Sequence, residues 1–386
     1  LRIIPDVDNS TLTVRVNEER CQGPDGCPPV DMAPSLAEVT VSFDGTVIAT
    51  ASGETGKPLI IGIPGPHLWS PDDPNLYDLK IRLITGGNVT DEVSSYAGMR
   101  KISLGVTADG FTRIMLNNEF IWQNGPLDQG FWPDGIYTPP SDEAMKSDIE
   151  MLKKMGFNMM RKHVKVENRR FYYHTDRIGM LVWQDMPSGD DYIWGDKPDI
   201  LKSSVDSAQF MTELTRMIET KFNYPSIIMW VIYNEGWGQY DTPGVTKYVA
   251  AYDTSRLVNS ASGWTDRGTG HVRDIHNYPD PVAPPAEKAR AIVLGEFGGL
   301  GLPVQGHTWE QKNWGYQKMS DSTDLLRRYS QFYSVVRDLV VTKGLSASVY
   351  TQTTDVETET NGLMTYDRKV DKMGYDNVRK AMNPGK

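Results

Sequence analysis

Two apolar runs in this chain end in a carboxylate. The first, Met229-Trp-Val-Ile-Tyr-Asn-Glu-Gly236, closes on Asn234 and Glu235, and the second, Ile292-Val-Leu-Gly-Glu-Phe-Gly298, carries Glu296. If each run is a strand of a parallel barrel, its terminal polar residue stands at the lip where βα loops gather and such folds place their chemistry. Two carboxyl groups facing across one barrel mouth suit glycosidic bond cleavage. One donates a proton to the leaving oxygen while the other attacks the anomeric carbon, and in the retaining version they stand about 5–5.5 Å apart, too close for an intervening water. For either glutamate alone, a rim residue that caps its strand or pairs with an arginine is the more ordinary reading, since structural ion pairs are common. Two glutamates at equivalent places weaken that reading.

The elements that must position this pair can be counted. From about residue 118 short apolar runs alternate with amphipathic stretches, the grammar of βα units. Strands are expected at Phe120–Gln123, Phe157–Arg161, Met180–Gln184, Ile227–Tyr233, Leu257–Ser260, Asp274–His276, Ala291–Leu294 and Ser346–Tyr350. Ser141 caps a helix that ends at Gly156, a second helix lies near Glu167–Ile178, and Leu325, Leu326, Tyr329, Tyr333, Val336 and Val340 keep helical spacing before the last strand. Eight strands with helical connections favour a closed (β/α)8 TIM barrel. No Gly-rich dinucleotide or phosphate-loop pattern follows any of them. Residues 1–105 read differently. Short alternating segments (Leu12–Val16, Ala37–Phe43, Thr46–Ala51, Leu59–Ile63, Leu76–Ile84, Ser94–Ile102) are separated by turn clusters such as Asp44-Gly45 and Pro71-Asp-Asp-Pro74, which is the pattern of an immunoglobulin-like β-sandwich. The expected organisation is multidomain, a sandwich over 1–105 and a barrel over 106–386.

Composition sets the outer bounds. The chain has 386 residues, with 50 Asp plus Glu against 40 Lys plus Arg and 39% hydrophobic residues, a globular composition that excludes disordered, collagenous and disulfide-framework classes. The net charge of −10 and the lack of a basic run argue against a nucleic-acid partner. The longest apolar run, Ile227–Tyr233, is far short of the roughly 20 residues that cross a bilayer, so no membrane partner is expected. Cys21 and Cys27 in CQGPDGC either close a short disulfide in an oxidising compartment or remain two free thiols. The first residue is Leu1, not Met, with no charged-then-apolar leader, the pattern expected where a signal peptide has been removed or lies outside the sequence. A periplasmic or extracellular location is the expectation, with the cytoplasm as the alternative.

Three segments together, Trp230-Val-Ile-Tyr-Asn-Glu-Gly-Trp237, Leu294-Gly-Glu-Phe-Gly298 and Phe157-Asn-Met-Met-Arg-Lys-His163, resemble the motif regions of glycoside hydrolase family 2, which includes β-galactosidases, β-glucuronidases and β-mannosidases. Leu68-Trp-Ser-Pro-Asp-Asp-Pro-Asn-Leu-Tyr77 is similar to the signature of that family's immunoglobulin-like domain, and Tyr96–Ile102 to the strand entering its barrel. The resemblance implies Glu235 as general acid/base and Glu296 as nucleophile, Asn234 as a donor to the sugar 2-hydroxyl, and Arg161 beneath the nucleophile, favouring its ionised form. Tyr278 matches the family's tyrosine near the nucleophile. His163 and Asp185 could bind sugar hydroxyls or satisfy backbone groups at the rim. Trp264 could offer a flat face to a pyranose or belong to the core. Asp128 and Trp132 after the first strand, and Trp314 after Glu296, share that ambiguity.

Three departures shape the expected specificity. The family normally begins with a jelly-roll domain, whereas residue 1 here already lies at the start of the immunoglobulin-like domain, as in a fragment or a protein without that domain. The Asn-x-Lys pattern that holds a uronate in the β-glucuronidases corresponds to Asn361-Gly-Leu363, which argues against uronic acids. The metal-binding histidine beside the acid/base of large bacterial β-galactosidases has no match in Asn234-Glu-Gly-Trp-Gly238. Gln352 stands near the place of a tryptophan platform, so an altered sugar floor is expected. The expected activity is retaining exo-hydrolysis of a galacto-configured glycoside, a β-galactoside or an α-L-arabinopyranoside, with no cofactor and no metal. The alternatives are β-glucuronidase or β-mannosidase specificity, or a catalytically silent carbohydrate-binding barrel.

Overall fold

The computed structural model describes residues 1–18 and 35–383; Cys21 and Cys27 lie outside the described residues. The chain divides into two compact units, Leu1–Lys101 with Glu219–Pro225, and Ile102–Ile218 with Ser226–Lys386.

The first unit is a sandwich of two antiparallel sheets. One sheet has four strands in the order Thr46–Glu54, Leu36–Phe43, Tyr77–Thr85, Asn88–Ala97, and the other has three, Arg2–Asp6, Thr11–Arg15, Pro58–Gly62. Period-two alternation drives the fold: Ala37, Val39 and Val41 of one strand and Leu79 and Ile81 of its neighbour turn inward, meeting Leu12, Val14 and Ile61 from the facing sheet. The expected strand Ser94–Ile102 is two elements. Asn88–Ala97 closes a hairpin with Tyr77–Thr85, and Ile102–Val106 opens a small antiparallel sheet with Thr112–Leu116 and Glu119–Phe120.

The second unit is a parallel eight-stranded barrel. Its strands are β1 (Gln123–Asp128), β2 (Met159–Lys162), β3 (Leu181–Asp185), β4 (Ile227–Asn234), β5 (Leu257–Ser262), β6 (Val272–His276), β7 (Ala291–Gly298) and β8 (Leu345–Thr351), hydrogen-bonded in the order β5-β4-β3-β2-β1-β8-β7-β6. The β1 strand lies three residues beyond the expected Phe120–Gln123. Its sequence, Gln-Asn-Gly-Pro-Leu-Asp, looks like a turn, yet all six residues are buried. Gly125 is there because of close approach, as a Cβ would lie 1.7 Å from the Met159 carbonyl oxygen.

Both helices expected after the first two strands form, each with a side-chain cap. Ser141 accepts from Ala144 N to start α1 (Asp142–Lys154), and Asn168 caps α2 (Arg169–Ile178). The others are α3 (Ser204–Lys221), α4 (Thr242–Tyr252), α5 (Ser322–Lys343) and α6 (Tyr375–Met382). Among the described residues, no helix is long and apolar enough to cross a membrane.

The ladder has one seam, between β5 and β6, and side chains close it. Asp274 Oδ2 accepts from Asn259 Nδ2 (2.7 Å) and Ser262 Oγ (2.6 Å), both on β5, while its Oδ1 accepts from the backbone of Gly295 on β7 (2.7 Å). One buried carboxylate therefore joins three strands immediately beneath Glu296.

Candidate active site

Glu235 stands one residue past β4. Its backbone N donates to the Ser262 carbonyl (2.9 Å), extending the ladder to β5 by one bond before the chain turns away through left-handed conformations at Glu235 (φ 52°) and Gly236 (φ 77°). A non-glycine residue held there costs roughly 1–2 kcal/mol, a strain that clusters at functional sites. Gly236 is required twice over, since a Cβ would also lie 2.1 Å from the Ile193 carbonyl oxygen. The Trp264 indole N donates to the Glu235 carbonyl (2.9 Å), and the Trp264 ring packs against Trp194 at 4.2 Å between centroids.

Glu296 lies within β7 and is the ladder partner of His276 on β6. Arg161 Nη1 donates to its Oε1 (3.2 Å), and the Tyr278 hydroxyl donates to its Oε2. Tyr278 is held by Tyr316, whose ring lies parallel to it at 3.7 Å. Burial alone would raise the Glu296 carboxyl. The charges of His276, Arg161 and His163, with the Tyr278 hydrogen bond, overcome that and hold it below its ordinary range.

Arg161 is fully buried and fully engaged. It makes a two-point contact with Asp185 (3.1 and 2.9 Å), and it donates to Asn234 Oδ1 (2.8 Å) and the Gly295 carbonyl (3.2 Å) as well as to Glu296. The planar guanidinium fork makes this possible. Because Asn234 Oδ1 faces Arg161, its Nδ2 is left as a donor.

His276 joins the two glutamates. Its Nδ1 lies 2.8 Å from Glu235 Oε1 and 3.6 Å from Glu296 Oε2. The Ser262 hydroxyl gives its single proton to Asp274, so at the 2.8 Å contact it accepts from His276 Nε2. Burial works against an imidazolium here, but Glu296, Glu235 and Asp274 outweigh it and raise the ring above its ordinary value. One carboxylate oxygen each from Glu235 and Glu296 and a ring nitrogen of His276 lie within 4.8 Å of one another. That spacing would also suit a cation. However, Arg161 and Tyr278 already occupy Glu296, so such an ion would stand beside a buried guanidinium.

The structure thus brings together Glu235, Glu296, Asn234, Arg161, Tyr278, Trp264 and Asp185, the last in a different capacity from a sugar ligand. Asp185 accepts from Arg161 and from Val164 N (3.2 Å) and is an anchor for the arginine. His163 Nδ1 approaches it at 3.4 Å without a hydrogen bond. Asp128 is not part of the group. It is in register with Lys162, and neighbours in register share a face, so it lies on the side of the sheet opposite Arg161. There Asp128 binds Lys162 Nζ (2.9 Å) and Gly130 N (2.8 Å). Gln352 is no open platform, being buried and bonded at both ends of its amide, to Gln129 and Asn361. Trp132 is buried beneath the Arg368 guanidinium at 3.7 Å, while Trp314 remains exposed. His276, the last residue of β6, is absent from the site residues expected above.

Both parts of the chain match known proteins. The family model described as "Glycosyl hydrolases family 2, TIM barrel domain" matches residues 140–383, and the one described as "Glycosyl hydrolases family 2" matches residues 30–100. A β-galactosidase of Leuconostoc mesenteroides is 28% identical over 236 residues, which cover 60% of this chain and 22% of that protein. The FMN-binding β-glucuronidase structure from Facaelibacterium prausnitzii aligns over 99% of this chain and 61% of its own, with a TM-score of 0.76 at 18% identity. The β-D-glucuronidase structure of Dictyoglomus thermophilum aligns over 99% of this chain and 68% of its own, with a TM-score of 0.72 at 16% identity. The chain spans about a fifth of the length of that curated relative. With a family model covering most of the barrel and a second within the sandwich, the chain belongs to glycosyl hydrolases family 2.

Proposed function

We propose that the barrel hydrolyses terminal galacto-configured glycosides, β-galactosides or α-L-arabinopyranosides, with retention of anomeric configuration. The observation that carries this reading is the Glu235–His276–Glu296 cluster, in which one carboxylate oxygen of each glutamate and a ring nitrogen of His276 lie within 4.8 Å of one another, close enough to favour direct attack over an intervening water. Ionised Glu296 attacks the anomeric carbon while Glu235 gives its proton to the leaving oxygen. The C–O bond to the aglycone breaks as the bond to Glu296 forms. Glu235, now a carboxylate, takes a proton from water, whose oxygen attacks the same carbon and frees Glu296. Arg161 holds Glu296 and the Asn234 amide from one guanidinium, so the nucleophile and a donor for the 2-hydroxyl are set by a single side chain.

The test is hydrolysis of nitrophenyl β-galactoside, β-glucuronide, β-mannoside, β-glucoside and α-L-arabinopyranoside beside the Glu296→Gln variant, with the first-formed anomer read by NMR. Retained configuration, and activity that falls by more than about a thousandfold in the variant, are expected. Inverted product, or full activity in the variant, would refute the reading.

A further inference from the structure

A relay of side-chain amides beside the barrel mouth ends on a carboxylate. Gln129 Nε2 donates to Gln352 Oε1 (2.8 Å), Gln352 Nε2 donates to Asn361 Oδ1 (2.9 Å), and Asn361 Nδ2 donates to Glu359 Oε1 (2.8 Å). Each amide has one accepting and one donating end, so the first orientation fixes the others, and the relay delivers a donor to Glu359. Gln352 and Asn361 are buried, whereas Glu359 is partly exposed. No lysine or arginine is paired with Glu359 among the described residues.

Other contacts tie Glu359 to the nucleophile's surroundings. Trp314 N donates to the Thr358 carbonyl (2.9 Å) and Thr360 N donates to the Trp314 carbonyl (2.8 Å), placing Glu359 opposite Trp314. The Trp314 ring meets Tyr316 edge-on at 5.3 Å, Tyr316 stacks on Tyr278, and Tyr278 donates to Glu296. Burial is the main influence raising the Glu359 carboxyl and the charge of Glu296 adds to it, against the hydrogen bonds from Asn361 and Gln352 and the charge of His163. Glu359 is thus within electrostatic reach of the reacting carboxylate. The guanidinium nearest that carboxylate, Arg161, is already neutralised by Asp185 and Glu296.

We propose that Glu359 is a specificity residue that makes this site select neutral sugars: it accepts a hydrogen bond from a glycone hydroxyl and repels the carboxylate of a uronic acid. The substrate class is then a neutral glycoside. This inference rests on the glycosidase reading, and the two are tested by separate readouts.

Binding of three sugar pairs, galactose and galacturonate, glucose and glucuronate, mannose and mannuronate, is measured by calorimetry at pH 7 for wild type, Glu359→Gln and Glu359→Lys. In at least one pair the wild type should bind the neutral sugar about tenfold or more tighter than its uronate, from the like-charge contact. Glu359→Gln should bring that ratio near one, and Glu359→Lys should invert it. A uronate bound as tightly as its neutral partner by wild type overturns the proposal. So does an unchanged ratio in a Glu359→Gln protein of wild-type melting temperature, or no binding in any pair. Hydrolysis of the nitrophenyl panel by wild type reports on the glycosidase reading alone, so neutral-glycoside turnover with an unchanged binding ratio would sink Glu359 and leave that reading standing.

Discussion

Replacing Tyr278 by Phe removes one hydroxyl from the site and keeps the ring stacked on Tyr316 at 3.7 Å. The hydroxyl donates to Glu296 Oε2 and lies 3.3 Å from Thr351 Oγ1. A hydrogen bond to a charged group contributes about 1.5–3 kcal/mol. In the proposed cycle Glu296 has no charge while it carries the sugar and regains it as the sugar leaves, so this bond favours the second step. Losing it should slow deglycosylation by up to roughly 10- to 150-fold. The expected signature is a fall in kcat with a parallel fall in KM, and a glycosyl-enzyme that accumulates enough to be seen by intact mass spectrometry.

The pH dependence has a fixed sign. The Tyr278 bond is one of the influences holding Glu296 below its ordinary 4.5, and attack requires the ionised form. Without that bond the carboxyl rises, so the acid limb of kcat/KM moves to higher pH. By the same linkage, the stability this depressed carboxylate contributes above its unfolded-state value, lost as pH falls through the folded one, shrinks in the variant. An acid limb that stays put, with kcat within twofold of wild type, would refute the reasoning.

Other perturbations have equally definite outcomes. Arg161→Met removes the guanidinium partner shared by the buried Asp185 and Glu296 carboxylates, and breaking such pairs costs about 3–5 kcal/mol; urea unfolding should show that loss, and a change under about 1 kcal/mol would contradict the assigned burial. Asp253 is held down to about 2 from 3.8, burial opposing and Arg256, Ser255 and Trp230 prevailing. Asp253→Asn should therefore destabilise by about 2 kcal/mol near neutrality. Since a depressed carboxylate stabilises above its unfolded value, wild type and variant should converge as pH falls from about 4 towards 2, and parallel melting curves across that range would exclude the account.

Much of the barrel was legible because its strands are apolar runs that end in polar residues. Strands β4 and β7 illustrate this, and the same rule located Glu235, Glu296 and Asn234. The rule failed at β1, where Gln123-Asn-Gly-Pro-Leu-Asp128 looks like a loop. Polar atoms there find partners on distant elements, as when Trp183 Nε1 donates to Gln123 Oε1 (2.7 Å) and Asn158 Oδ1 accepts from Asn124 N (2.8 Å), and local patterning carries no trace of such partners. The face of Asp128 was hidden for a related reason. Whether it follows Arg161 or Lys162 depends on the register between two strands about thirty residues apart, and a one-residue slip reverses the answer. His276 was visible and passed over, because a histidine at a strand end has no partner in the sequence until Ser262, Glu235 and Glu296 are brought around it.

The two glutamates sit in chemically unequal surroundings, and the proposed roles follow that difference. Glu296 is almost fully enclosed and gripped by a guanidinium and a phenol, conditions that favour its ionised form when free. Glu235 has a side chain that is 23% exposed, against 5% for Glu296. It sits past its strand, where solvent reaches it. Azide distinguishes the two. If Glu235 is the acid/base, Glu235→Gly with an activated nitrophenyl glycoside still forms the glycosyl-enzyme, and azide, needing no base, displaces it to give a glycosyl azide of retained configuration. If Glu296 is the nucleophile, Glu296→Gly with azide gives the opposite anomer, because azide now makes the first and only displacement. Exchange of these two products between the variants would reverse the assignment, and the same anomer from both would rule out a double displacement through either glutamate.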